Sequence, residues 1–137
     1  MFECLIIGDS IADGIARYRQ ECPQITRSGV NSSMFNKNFS KKVQEQSQGV
    51  STVIISLGSN DHDGVKTYNE LFVLRERMDA NRVFWILPNK KMRPQQYDDV
   101  KLIALSFGDT VIEPKSVSDD GIHPTYDGYK DLAARTK

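Results

Sequence analysis

Short runs of β-branched and aliphatic residues alternate with segments of helical period along the whole chain. No other feature restricts its fold as strongly. Cys4-Leu5-Ile6-Ile7 is a continuous apolar run stopped by Gly8, the pattern of a strand buried on both faces. Thr52 to Leu57 and Arg82 to Leu87 repeat the pattern and are stopped by Gly58 and Pro88. Weaker strands are expected at Gln24–Arg27 and Thr110–Ile112. Helices are expected over Ile11–Arg19, from Ser32 or Ser33 to about Gln46, over Lys66–Ala80 and over Pro94–Phe107. A last helix begins near Thr125, with Tyr126, Tyr129, Leu132 and Ala133 on its buried side. Strands linked through helices pair in parallel, so the fold class is α/β, with one sheet covered on both faces.

Composition narrows the partners. A length of 137 residues fits one domain spanning 1–137, at roughly 100–200 residues per domain. Lysine plus arginine and aspartate plus glutamate number 18 each, for a net charge of zero. That balance removes the electrostatic drive toward nucleic acid or an anionic membrane. Neither a secretory leader nor a membrane-spanning run is expected, because Met1-Phe2-Glu3 leads directly into the first apolar run. Cys4 and Cys22 are too few for a disulfide framework and read as reduced thiols in a cytoplasmic chain, with a bridge as the lesser alternative.

In open parallel sheets, ligands bind beyond the carboxyl ends of the strands, so the residues following each strand carry the functional argument. After the first strand stands Gly8-Asp9-Ser10. Glycine permits a sharp turn that presents the Ser10 hydroxyl at a helix start, as a nucleophile requires. Asp9 reads either as the cap of that helix or as a substrate-binding carboxylate. After the second strand, Gly29 offers a backbone N–H to developing negative charge, and Asn31 follows at the rim. After the third, Gly58-Ser59-Asn60-Asp61 places an amide side chain at the sheet edge, with Asp61 holding the loop. His62, between Asp61 and Asp63, reads as a rim residue touching substrate. Consecutive loop residues rarely point at one ion, so no metal is expected there. Near the C-terminus, Asp120 and His123 are spaced so that the carboxylate accepts the imidazole Nδ1–H, leaving Nε2 as a base.

Each block is common by itself. Their joint order is specific, and it resembles the SGNH (GDSL-type) hydrolase family over nearly the whole chain, with Ile11 where the eponymous motif has leucine. The resemblance implies a three-layer α/β/α sandwich, flavodoxin-like, with a parallel sheet of about five strands. It implies Ser10 as nucleophile, His123 as general base and acid, and Asp120 as the carboxylate orienting His123. The oxyanion hole is then formed by the N–H groups of Ser10 and Gly29 and the side chain of Asn60, and no cofactor is needed.

The function expected on these grounds is hydrolysis of short-chain acyl esters, acetyl esters first, with carbohydrate O-acetyl groups the preferred class. The partner is then a small-molecule or carbohydrate ester and the chain a monomer or weak homo-oligomer. The chain is short, leaving little for lids or walls, so the site is expected to be open. A lysophospholipase or thioesterase with the same triad is the alternative, as is a non-catalytic carbohydrate-binding module of this fold. A flavodoxin-like cofactor carrier ranks last, because no glycine-rich phosphate loop follows the first strand.

Overall fold

The computed structural model describes residues 3–137; Met1 and Phe2, read above as running into the first strand, lie outside the described residues. Strands β1 (Cys4–Gly8), β2 (Gln24–Thr26), β3 (Val50–Ser56), β4 (Ala80–Ile86) and β5 (Thr110–Ile112) alternate with helices. The helices are α1 (Ser10–Ala16), α2 (Ser32–Gln46), α3 (Thr67–Glu76), α4 (Pro94–Phe107) and α5 (Tyr126–Arg135). All strand pairs are parallel, in the order β2-β1-β3-β4-β5. This is the doubly wound, flavodoxin-like order, whose switch point lies between β1 and β3.

Two helices stop earlier than their periodicity predicts. Beyond α1, the N–H groups of Tyr18 and Arg19 bond to Ile15 and Ala16, three residues back rather than four. Arg77 and Met78 do the same with Leu74 and Arg75 beyond α3. A tightened final turn of this kind ends a helix.

Strand alternation divides the core into two layers. Leu5, Ile7, Val53, Ile55, Val83 and Trp85 face α2, α3 and α4, where they meet Phe35, Val43, Leu71, Leu74, Val100 and Ile103. Ile6, Ile54, Phe84 and Ile86 face the other way and pack on Ile11, Ala12 and Ile15 of α1 and on Leu132 and Ala133 of α5. Trp85 is fully buried, and its indole N–H donates to Asp109 Oδ2 at 2.9 Å.

The structure corrects two expectations here. Cys4 and Cys22 are not free thiols; they form a disulfide with Cα atoms 5.0 Å apart. Strand register explains it. Ile6 pairs with Gln24 and Ile7 with Ile25, and the same offset carried two residues back sets Cys4 beside Cys22. Tyr126 is not buried by α5 but is 81% exposed. Among the described residues, no helix is long and apolar enough to cross a membrane.

Candidate active site

The carboxyl ends of β1, β2 and β3 and the loop after β5 converge on one edge of the sheet. Gly8 sets the first of these. Its φ is +133°, and a Cβ there would stand 1.9 Å from the carbonyl oxygen of Ser56, so only glycine lets β1 leave the sheet this close to β3. The Asp9 N–H donates to the same Ser56 oxygen at 2.9 Å.

Asp9 then caps α1. Its Oδ1 accepts the N–H groups of Ile11 and Ala12 at 3.0 and 3.4 Å. The residue is fully buried, which corrects the substrate-binding alternative: no substrate reaches it. Its Oδ2 has no hydrogen-bond partner among the described residues. Burial pushes this carboxyl up to about 6, against the opposing pull first of the nearby Ser56 side chain and then of the Ile11 and Ala12 N–H groups.

Ser10 opens α1. Its backbone N–H makes no hydrogen bond to the described residues, because Asp9 occupies the next two donors and not this one. The Ser10 Oγ lies 2.8 Å from His123 Nε2, across 113 residues of sequence. His123 Nδ1 in turn lies 2.7 Å from Asp120 Oδ2.

The loop carrying this histidine is tied at several points. Asp120 Oδ1 accepts the N–H groups of Ile122 and His123 at 2.8 and 2.9 Å, and the Ser118 hydroxyl at 3.0 Å. The His123 carbonyl accepts from the N–H and hydroxyl of Ser118 at 2.7 and 2.8 Å. The N–H of His123, then that of Ile122, then the imidazole hold the Asp120 carboxyl well below the usual carboxylate range. A carboxylate so held stays ionised and fixes the imidazole with Nε2 toward Ser10. Asp119 is exposed and makes no side-chain hydrogen bond among the described residues.

Gly29 sits in an exposed turn at φ +78°, and its N–H likewise has no acceptor among the described residues. The Asn60 Nδ2 donates to the carbonyl of Val30 at 3.1 Å. An amide has two N–H bonds, so one ties the loop after β3 to the Gly29 turn and one is left over. Asp61 braces the same corner from inside. Its carboxylate, buried, accepts the N–H and hydroxyl of Ser32 at 2.8 and 2.7 Å and the hydroxyl of Thr67 at 2.7 Å. It thus joins the first turns of α2 and α3 behind Asn60.

The structure therefore brings Ser10, His123 and Asp120 into one hydrogen-bonded line, with the Asn60 loop hydrogen-bonded to the turn that carries Gly29. It does not bring the other rim residues to that line. The Asn31 Oδ1 caps α2 by accepting the Met34 N–H at 2.8 Å. His62 is exposed, accepts the Gly64 N–H at 3.1 Å on Nδ1, and borders a separate hollow with Arg93 and Gln95 that touches neither Ser10 nor His123. Arg93 holds that side together, donating through Nε to the Ser59 carbonyl at 2.9 Å.

The hollow that does contain Ser10 and His123 runs between α1 and α5, past Arg17, Tyr18, Tyr126 and Tyr129. The sequence pattern gave Arg17 and Tyr18 no role in the site and set Tyr126 and Tyr129 on the buried side of α5. The signal was weak: a pair of tyrosines three apart in α5 fits a buried face as well as a rim.

Comparison with known proteins follows from this geometry. No family model matches the chain, and no curated protein matches it. Solved structures do. A lipase/acylhydrolase from Enterococcus faecalis matches with a TM-score of 0.71 at 17% identity, covering 98% of this chain and 92% of that one. A GDSL-like lipase from Bacteroides thetaiotaomicron matches at 0.67 and 18% identity, covering 96% and 83%. An acetylxylan esterase from Geobacillus stearothermophilus matches at 0.67 and 19% identity, covering 96% and 90%. At such identities the likeness is one of fold: the chain has the α/β/α sandwich of the GDSL-type hydrolases.

Proposed function

We propose that this protein is a serine esterase of the GDSL type, hydrolysing short-chain acyl esters, acetyl first, with carbohydrate O-acetyl groups as its preferred class. The observation that carries the reading is the continuous line from Ser10 Oγ through His123 to Asp120, with both contacts under 3 Å. A nucleophile, a base and a group orienting the base at hydrogen-bond reach are what acyl transfer to serine requires.

In this reading, His123 Nε2 takes the Ser10 proton as Oγ attacks the ester carbonyl. The N–H groups of Ser10 and Gly29 and the spare amide hydrogen of Asn60 receive the oxyanion. One such donor typically contributes about 3–4 kcal/mol to the transition state, or roughly 10²–10³ in rate. The tetrahedral species collapses, and the alkoxide leaves with the proton held on Nε2. Water, deprotonated by the same nitrogen, then attacks the acyl-serine, and Ser10 recovers its proton as the acid departs.

The surroundings favour a small, polar ester. The hollow that holds Ser10 is bordered by Asp13, Arg17, Ser28 and three tyrosines, and the hollow beside Asp61 and His62 by Arg93, Gln95 and Gln96 together with Met92 and Pro94. The hollow lined by Leu102, Leu105 and Val111 lies along α4 and β5 and includes none of the site residues. Among the described residues, the hollow beside Ser10 holds only about 200 Å³ and mixes its tyrosines with Arg17, Asp13 and Ser28, which weighs against the lysophospholipase reading. The partner is thus the small ester itself, without nucleic acid or membrane. A disulfide is the chemistry of an oxidising compartment, so the Cys4–Cys22 bond supports activity outside a reducing cytosol rather than the cytoplasmic location expected from the sequence.

Labelling by an alkyl fluorophosphonate tests the reading. Wild-type protein should be modified at Ser10, and Ser10→Ala should not be modified. Equal labelling of the two proteins, or none of either, removes the esterase assignment.

A further inference from the structure

The hollow between α1 and α5 has a volume of about 200 Å³, room for roughly seven waters at ~30 Å³ each. It is the hollow that contains both Ser10 and His123, whereas the one beyond Asn60 contains neither. In ester cleavage by serine, the leaving oxygen takes its proton from the same imidazole nitrogen that activated the nucleophile. The alcohol half of the substrate therefore lies on the His123 side. We propose that this hollow is the alcohol subsite and that it takes a single neutral, polyhydroxylated ring.

The side chains on its walls argue for that class. Tyr126 is 81% exposed and Tyr18 is 38% exposed, so both aromatic side chains are open to a ligand. Such faces suit the C–H faces of a pyranose. Hydroxyl groups need donors and acceptors at the rim, and both are present. Arg17 offers a guanidinium with five N–H donors, whose one side-chain partner is Asp13 Oδ2 at a long 3.5 Å. Asp13 supplies carboxylate oxygens, one already accepting from Gln24 at 2.8 Å, and Ser28 supplies a hydroxyl.

Charge decides between a neutral and an acidic ring. Among the described residues, Arg17 is the one lysine or arginine lining the hollow, and Asp13 lies against it, while Asp120 stands behind His123. An anionic sugar gains nothing net from this set. A straight alkyl alcohol leaves the donors and acceptors unused.

This assignment rests on the esterase reading, and its test separates the two. The first arm compares kcat/KM for an O-acetylated neutral methyl pyranoside with that for ethyl acetate, whose alcohol has no ring. In Tyr126→Ala and in Arg17→Ala, the ratio of the two should fall tenfold or more, chiefly through KM of the pyranoside. A ratio unchanged in both variants overturns the subsite. The second arm needs no turnover: saturation-transfer NMR of the deacetylated methyl pyranoside on Ser10→Ala protein. Binding that is lost in Ser10→Ala/Tyr126→Ala supports the subsite, and binding equal in the two proteins, or absent from Ser10→Ala, overturns it. Failure of the esterase reading appears separately, as absent fluorophosphonate labelling of Ser10.

Discussion

The ring of Tyr129 lies across the backbone of Gly14 so closely that a Cβ on Gly14 would stand 2.3 Å from Tyr129 Cε1 and 2.5 Å from Cζ. This contact seats α5 on α1 and forms one wall of the hollow beside Ser10. Burial, then the charges of Asp9 and Asp120, push the Tyr129 hydroxyl up to about 12, so the ring stays neutral at any physiological pH.

Gly14→Ala is accordingly a test of that seating. Alanine gains about 1 kcal/mol of helix propensity, but overpacking against an aromatic ring typically costs 1–3 kcal/mol. The net expectation is a loss of stability of up to about 2 kcal/mol, read by chemical denaturation. In a Tyr129→Ala background the same substitution should become neutral or stabilising. A Gly14→Ala protein no less stable than wild type in both backgrounds refutes the contact.

Asp120→Asn addresses the orientation of His123. Asparagine keeps an oxygen for the Ile122 and His123 N–H groups but presents the wrong partner to Nδ1. By the behaviour of serine triads, kcat should fall by about 10⁴ with KM little changed. A loss below tenfold, measured on a p-nitrophenyl acetate assay, means Asp120 does not orient the base.

These residues were legible in the sequence for a physical reason. Ser10 and Asn60 each follow a buried run closed by glycine, Gly29 follows a short edge strand, and a parallel sheet must bring such strand ends to one edge. Asp120 and His123 were legible because their partnership is local. Three other features were legible only in part. Tyr126 and Tyr129 share a helical face, but periodicity does not say how far burial extends along that face, and Tyr126, the first residue of α5, is exposed. Asp9 adjoins the nucleophile in sequence, yet its side chain turns inward to cap α1. The Cys4–Cys22 bond follows from the β1–β2 register, which spacing alone leaves open.

That bond closes a loop across a sequence separation of 18 residues. Loop closure of this size contributes roughly 3 kcal/mol through the unfolded chain, which corresponds to about 10 °C in Tm for a domain of this size. Reduction, or Cys22→Ser, should lower Tm by that order. Cys4 lies at the far end of β1 from Ser10, so esterase activity at 20 °C should survive. Two thiols titrating in the native protein purified under air would contradict the bond.

Asp9 gives the chain a pH-dependent stability of known sign. Its carboxyl, ordinarily near 3.8, is pushed up to about 6 by burial in the folded state. A group with a raised folded value contributes stability that is complete below the unfolded value and is lost as pH rises through the folded one. The window is therefore about pH 4 to 6, and the difference of about two pH units corresponds to roughly 3 kcal/mol. Asp9→Asn keeps an oxygen for the Ile11 and Ala12 N–H groups and carries no charge at any pH. Its stability, followed by urea denaturation between pH 4 and 7, should lack the decline that wild type shows across that interval. At pH 7 the variant should match or exceed wild type. Parallel pH profiles for the two proteins would show that Asp9 titrates in the fold as it does in the unfolded chain, and that its burial leaves its proton affinity untouched.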